Sequence, residues 1–254
     1  MIKAGNRFFL PFSSEINQEI ALPEEEAYHL VKVLRKKEKE KILIIDGKGK
    51  EYEAQIEKIK HKGKKVEAIV YILKITREEK LFTPQITILM PLLKGEKKDF
   101  LLEKLIELGA DEIMPYISKF TETKIKENLL NRFQKKAISS LKQSGRLWLP
   151  LIHYPQPLDL LLNQIPKSDS IFFWGSEKGK YICIKEVLNK KHYKKIVLIS
   201  GPEGGFDKQE EELLKKYFIP VKLSPYILRA ETACIALLTI FSYHIFELKK
   251  LAKK

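Results

Sequence analysis

The chain has 254 residues, 44% of them hydrophobic, enough for one large domain or two smaller ones with real cores. A net charge of +14 and a pI near 9.5 favour a polyanionic partner, most commonly nucleic acid, although abundant Lys and Glu together also fit a chain that is simply rich in charge. Cys183 and Cys234 lie in unrelated segments without CxxC or CxxH spacing, and the histidines show no HExxH or HxH grouping; this excludes a cysteine-built zinc or iron–sulfur site and argues for a reducing cytosol.

In chain order, "MIKAGNRFFLPF" lacks an uninterrupted signal-type apolar core. "PEEEAYHLVKVLRKKEKE" reads as a short helix with Pro23 in its first turn. "KILIIDGKGKEYEAQIEKI" places a turn at Asp46-Gly47 between an apolar run and an alternating one, and "KKVEAIVYIL" follows as another strand after the polar hairpin loop "KHKGKK". Residues 1–72 therefore compose a small, mostly β domain.

From "TPQITILMPL" onward strands alternate with helices. "ITILM" precedes "KKDFLLEKLIELG", in which Phe100, Leu101, Leu105 and Leu108 share a face and Gly109 caps the end. "DEIMPY", "SIFFW", "KIVLIS" and "IPVKL" are further strands, with helices expected over 127–143, 180–190, 208–217 and 230–248. The alternation makes residues 73–254 an α/β domain with a parallel sheet, whose ligands gather at the carboxyl ends of its strands. The last helix places Ile235, Leu238, Phe241 and Ile245 on one face and Leu237, Ile240 and Phe246 on others, so it needs a second neighbour, inside the monomer or in a homodimer. Its "ACIALLTIFSYHIF" is too short and too polar to span a bilayer, so a soluble, cytoplasmic protein without membrane association is expected.

No Walker GxxxxGK[ST], GxGxxG or GxSxG is present. Four stretches can carry chemistry. "LISGPEGGF", Leu198–Phe206, is a tight strand-to-helix turn; Asp207 and Glu210 after it have capping-box spacing. Its glycines permit positive φ or close approach of a ligand to the backbone, or they make a turn and nothing more. "LSPYILRAETA", Leu223–Ala233, is a second irregular strand-to-helix loop, so the two can wall one pocket for an adenine, with Arg229 and Glu231 at its mouth or merely paired on the surface. From Lys119 to Arg146 eight basic residues face two acidic ones, a phosphate-contacting patch or a solvated helix face. "YHLVKVLR" and "NRFF" combine aromatic rings with His and Arg, as RNA contact or as half-buried core.

"NRFF", "HLVKVLR", "KLIELGADEIMP", "QSGR", "ISGPEGGF" and "LSPYILRAETA" occur in the order and spacing of one family. Over essentially its whole length the chain resembles the bacterial 16S ribosomal RNA uridine-N3 methyltransferases of the SPOUT superfamily. The resemblance implies an RNA-binding PUA-like β-barrel over 1–72. It also implies a trefoil-knotted α/β domain over 73–254 that binds S-adenosylmethionine, uses no metal and dimerises; true knots are rare in proteins. The substrate it implies is 16S rRNA of the small ribosomal subunit; a tRNA or another rRNA site, or RNA binding without catalysis, stay open as alternatives. For the cofactor it points to Ile199, Ser200, Gly201, Glu203, Gly204 and Gly205 in the first loop, and to Leu223, Ile227, Leu228, Glu231, Thr232 and Ala233 in the second. Trp174 and Gly175 supply a third wall, and Gly204 is expected to take positive φ and leave room for the adenosine. For RNA it points to Arg7, His29, Arg35, Lys135, Lys136, Gln143, Ser144 and Arg146. Arg229 is the expected catalytic cation, stabilising the uridinate as N3 loses its proton, with Glu203 and Glu231 orienting rather than acting as bases. The chain departs from the usual LGxRILRxETA at Ser224 and Tyr226, and carries Ser139 and Lys142 where the helix before QSGR usually has two glutamates.

Overall fold

Alternation of apolar and polar side chains builds the N-terminal sheet: Val66, Ala68, Val70 and Ile72 of a single strand all point inward. The computed structural model describes residues 7–63, 65–123, 125–188 and 192–251. These divide into two compact units: the chain up to Leu81 together with Ile138–Leu149, and Phe82–Ala137 together with the chain from Pro150 onward.

In the first unit, strands β1 (Arg7–Phe9), β2 (Glu19–Ala21), β3 (Lys41–Ile45), β4 (Lys50–Lys62) and β5 (Lys65–Glu78) form a sheet in the order β1-β3-β4-β5-β2, antiparallel except for β1 on β3. Residue 72 lies inside β5, which continues to Glu78 because its pairing with β4 continues, through bulges, to the Lys50–Glu78 pair. Helix α1 (Glu24–Tyr28) starts after Pro23 and runs on as a π-helical turn, His29–Val33, with Leu30 buried. The Asp46-Gly47 turn is held by the Asp46 carboxylate, which accepts from the Lys48 and Lys50 amides at 2.8 and 3.0 Å and from the Ser13 hydroxyl at 2.8 Å. Phe9 and Ile45 bury a separate small core against Leu141 and Leu147, which come from a segment more than ninety residues on.

In the second unit, β6 (Gln85–Pro91), β7 (Glu112–Ile117), β8 (Leu151–Ile152), β9 (Gln156–Pro157), β10 (Ser170–Lys180), β11 (Lys195–Ser200) and β12 (Ile219–Val221) form a parallel sheet in the order β12-β10-β11-β6-β7-β8, with β9 also on β7. Among the described residues six further helices occur: α2 (Lys97–Glu107), α3 (Leu129–Ser144), whose residues from Ile138 on belong to the first unit, α4 (Leu158–Gln164), α5 (Ile184–Leu188), α6 (Lys208–Tyr217) and α7 (Ala230–Leu251). Leu161 of α4 and Leu214 of α6 pack on one face of the sheet against Phe172, Trp174, Val197 and Ile199. On the other face the Phe173 ring meets Phe241 of α7 at 4.5 Å. The sheet strands and the helices α2, α3, α6 and α7 fall where periodicity predicts them; β1, β2, β8, β9 and α4 are too short to carry a periodic signal. The expected 180–190 helix reduces to α5, with residues 189–190 outside the described part, because residue 180 belongs to β10.

Two helix faces differ from expectation. In α2 the buried set is Leu101, Leu102, Leu105 and Ile106, while Phe100 is exposed beneath the Lys104 ammonium. In α7 the buried stripe is Cys234, Leu237, Leu238, Phe241, Ser242 and Ile245, so Leu237 joins the core and Ile235 is only half-buried. The sheet selects which part of each apolar helix is covered. Gly109 ends α2 with φ +95°, and the Ala110 amide donates to the Leu105 carbonyl at 3.0 Å, the hydrogen bond that closes a left-handed cap.

Gly49 has φ +103°, and a Cβ there would stand 2.4 Å from the Glu79 carbonyl oxygen and 2.7 Å from the Trp148 ring. Gly63 has φ +61° with open space around it. Gly63→Ala is therefore expected to cost about 1 kcal/mol from left-handed strain alone, and Gly49→Ala roughly 2–4 kcal/mol once overpacking is added. Urea midpoints of the two variants measure the difference.

Candidate active site

Because β10, β11 and β12 are parallel, their carboxyl ends and the loops that leave them meet at one edge of the sheet. After β11 the chain turns at Pro202–Gly205, where the Gly205 amide donates to the Pro202 carbonyl at 3.0 Å and Gly205 takes φ +69°. The capping box forms: the Glu210 amide donates to Asp207 Oδ1 at 2.8 Å, and the Asp207 amide to Glu210 Oε2 at 2.9 Å. Between turn and helix, the Phe206 ring stacks on Tyr116 with centroids 6.0 Å apart and meets the edge of Trp174 at 5.9 Å. The buried Tyr116 hydroxyl donates to the Ser200 carbonyl at 2.6 Å, and burial pushes its ionisation well above the ordinary phenol range. Below it, burial pushes the Cys234 thiol up to about 12, which leaves it inert.

These loops enclose a cleft of about 650 Å³. One wall runs from Trp174 and Gly175 through Ser176, Glu177 and Lys178; a second is Gly201, Pro202, Glu203, Gly205 and Phe206; the third is Leu223, Ser224 and the run Tyr226–Glu231 with Ala233. Of the fourteen residues expected around the cofactor, ten line this cleft, and so does Arg229, the expected catalytic cation. Ile199, Ser200, Gly204 and Thr232 do not: Ile199 and Ser200 are buried at the end of β11, and Thr232 is exposed on α7. Gly204 corrects a specific expectation. It does not have positive φ and does not face the cleft; its missing side chain admits Phe120, whose Cβ would lie 2.8 Å from a Cβ at Gly204. The residue with positive φ is Gly205.

Lys97, at the start of α2, reaches the same cleft. Its Nζ lies 2.7 Å from Glu203 Oε1 and 3.8 Å from Glu231 Oε1. The Lys94 backbone amide lies 3.5 Å from Glu203 Oε2. The Lys97 hydrogen bond holds the Glu203 carboxyl below the usual carboxylate range, and Glu203 in turn raises the Lys97 ammonium. Glu231 Oε2 is buried without a hydrogen-bond partner. Arg229 is exposed and, among the described residues, makes no side-chain ion pair. Lys97, Pro202, Phe206 and the run Ser176–Lys178 were missed in the sequence; for Lys97 the available signal was its place just beyond β6, a strand of the same parallel sheet.

The residues expected to touch RNA are distributed differently. In the first unit Arg7 is largely buried, its Nε donating to Glu51 Oε2 at 3.0 Å, and its guanidinium fills the space where Gly145 lacks a side chain. His29 lies near Phe8, half-buried, while Arg35, Gln143 and Ser144 are exposed and Arg146 is half-buried. In the second unit Lys135 is exposed on α3, and Lys136 pairs with Glu103 at 2.7 Å. Among the described residues, no group of three or more His, Cys, Asp or Glu could hold a metal ion, and no helix is long and apolar enough to cross a membrane.

Residues 80–242 match an RNA methyltransferase domain and residues 22–69 an RNA methyltransferase PUA domain. Fold and cleft thus define a PUA-bearing RNA methyltransferase of mixed α/β architecture. The chain is 31% identical over 94% of its length to ribosomal RNA small subunit methyltransferase E of Buchnera aphidicola subsp. Schizaphis graminum, covering 96% of that protein, and 25% identical over 93% of its length to the Bacillus subtilis enzyme of the same name, again covering 96%. The crystal structure of a ribosomal RNA small subunit methyltransferase E from Neisseria gonorrhoeae bound to S-adenosyl methionine superposes with a TM-score of 0.79 at 30% identity, over 94% of this chain and 97% of that one. The chain belongs to the ribosomal RNA small subunit methyltransferase E family.

At Gly201 an added Cβ would meet only the Phe206 ring, at 3.5 Å. Gly201→Ala is therefore expected to leave the melting temperature unchanged, whereas Gly204→Ala should lower stability by roughly 1–3 kcal/mol through collision with Phe120. Thermal unfolding of both variants distinguishes them.

Proposed function

We propose that this protein transfers a methyl group from S-adenosylmethionine to N3 of a specific uridine in 16S rRNA of the small ribosomal subunit. The observation that carries the reading is the cleft, in which the GPEGG turn and the LRAETA loop stand side by side at the carboxyl edge of a parallel sheet. Its size, the half-buried main chain of Gly201 and Gly205 in its wall, the Phe206 ring beside them and the unpartnered Glu231 oxygen suit an adenosine-bearing amino acid. The bound cofactor supplies a methyl group already activated on a sulfonium.

The remaining work falls to the protein. Uridine N3 is protonated at neutral pH, and negative charge spreads over the uracil ring as that proton leaves. Arg229, exposed at the rim and free of carboxylate partners among the described residues, is the cation that stabilises this charge. Glu203 and Glu231, turned to Lys97, shape the cleft instead of removing the proton. The first unit contributes to RNA binding as a PUA domain, with the exposed Arg35, Gln143 and Ser144 at the phosphate backbone and Arg7 holding the QSGR turn. In the second unit Lys135 and Lys136 of α3 are further candidates for phosphate contact. Tyr226 and Ile227 beside the cleft are 80% and 81% exposed, and Tyr243 and Phe246 of α7 are exposed too, which supports a homodimer that covers them. The trefoil knot and a cytoplasmic location belong to the same reading.

Arg229→Ala should lower kcat by on the order of 10²–10³ while leaving cofactor affinity nearly intact, because its partner charge arises only in the transition state. Single-turnover methylation of small subunits with labelled cofactor, beside a cofactor titration, tests this; a normal kcat in the variant ends the catalytic assignment. Mapping of the modified nucleotide separates 16S rRNA from tRNA or another rRNA site. Light scattering at micromolar concentration should give twice the chain mass, and a monomer would refute the dimer.

A further inference from the structure

We infer that Lys97 is a positioning residue for this reaction: it occupies the carboxylates of Glu203 and Glu231 together and so keeps the Arg229 guanidinium available to the RNA base. The inference rests on the methyltransferase reading above and concerns how that site is kept competent.

Three cations line the cleft, Lys97, Lys178 and Arg229, and so do four acids, Glu177, Glu203, Glu211 and Glu231. Glu231 stands only two positions after Arg229, at the first turn of α7, and Glu203 faces it from the turn beyond β11. Left to themselves, two carboxylates in a partly dehydrated cleft draw in the nearest guanidinium, which makes strong bidentate pairs. An arginine so engaged could not meet charge developing on a uracil. The geometry prevents this with a cation from a third loop. Lys97 Nζ sits 2.7 Å from Glu203 and 3.8 Å from Glu231, and the second Glu203 oxygen faces the Lys94 amide at 3.5 Å. Each side of the cleft is thereby tied to the β6–α2 connection, while Arg229 makes no side-chain ion pair among the described residues.

Two measurements test the inference, one of them independent of activity. Phenylglyoxal labelling of Arg229, read by peptide mass spectrometry, should be fast in the wild type and several-fold slower in Lys97→Met, where the carboxylates capture the guanidinium. In single-turnover methylation of small subunits, Lys97→Met should lower kcat by roughly 10–10²-fold, the scale of a small misplacement at a reacting centre, with cofactor affinity changed far less. Lys97→Arg should retain most of the rate, and adding Glu203→Gln to Lys97→Met should restore part of it by removing the competing charge. Where the methionine variant does not fold, Lys97→Gln replaces it. Equal labelling of Arg229 in the wild type and a folded Lys97 variant overturns the inference, as does a double variant no faster than Lys97→Met. An inactive wild type with the expected labelling difference counts against the methyltransferase reading and leaves the positioning role of Lys97 standing.

Discussion

In a parallel sheet every strand delivers its following loop to the same edge, and this directional constraint is what the rest of the candidate site depends on. β10, β11 and β6 run side by side in register over most of their length, with β12 on the outer side of β10. No loop needs to travel to reach its neighbours. The turn after β11, the loop after β12, the far end of β10 and the connection out of β6 arrive together, and the cleft is the gap between them. An antiparallel arrangement of the same strands would have sent half of these segments to the opposite edge.

Given that convergence, the sheet core decides how firmly the cleft is walled. Tyr116, Trp174 and Phe206 come from three segments and stack into one aromatic group directly beneath the turn, with the Tyr116 hydroxyl satisfying the Ser200 carbonyl where β11 ends. A buried carbonyl at the last residue of a strand would otherwise be left unpaired, at a cost of about 1–3 kcal/mol. The same tyrosine therefore closes the strand and supports the loop. On the other face Phe173 and Phe241 fix α7, whose first turn carries Glu231.

Charge is arranged with comparable economy. The chain is strongly basic, yet the cleft itself is close to balanced, and two of its carboxylates, Glu203 and Glu231, are held by a lysine at the start of α2. In the first unit the arginine expected at the RNA is instead engaged with Glu51, and its role is to hold the turn at Gly145. A basic residue within a recognisable motif can thus act one layer away from the ligand that the motif serves.

What the sequence determined by itself was what local interactions decide. The strands β3 to β7, β10 and β11, the left-handed cap at Gly109, the capping box of Asp207 with Glu210 and the tight turn of GPEGG all follow from periodicity, φ preference and hydrogen bonds between residues a few positions apart. The family motifs also marked most of the cleft wall. Tertiary structure alone decided the pairs formed across long separations: Lys97 with Glu203, Phe120 against Gly204, Arg7 with Glu51 and Gly145, and Leu141 and Leu147 beneath Phe9. It also chose between neighbouring faces of α2 and α7, where hydrophobicity runs more than halfway round the helix and the pattern is degenerate. The physical reason is the same in each case. Local propensity sets the conformation of a segment, but which side chain stands opposite it is fixed only when the sheet has assembled and the loops have been brought to one edge.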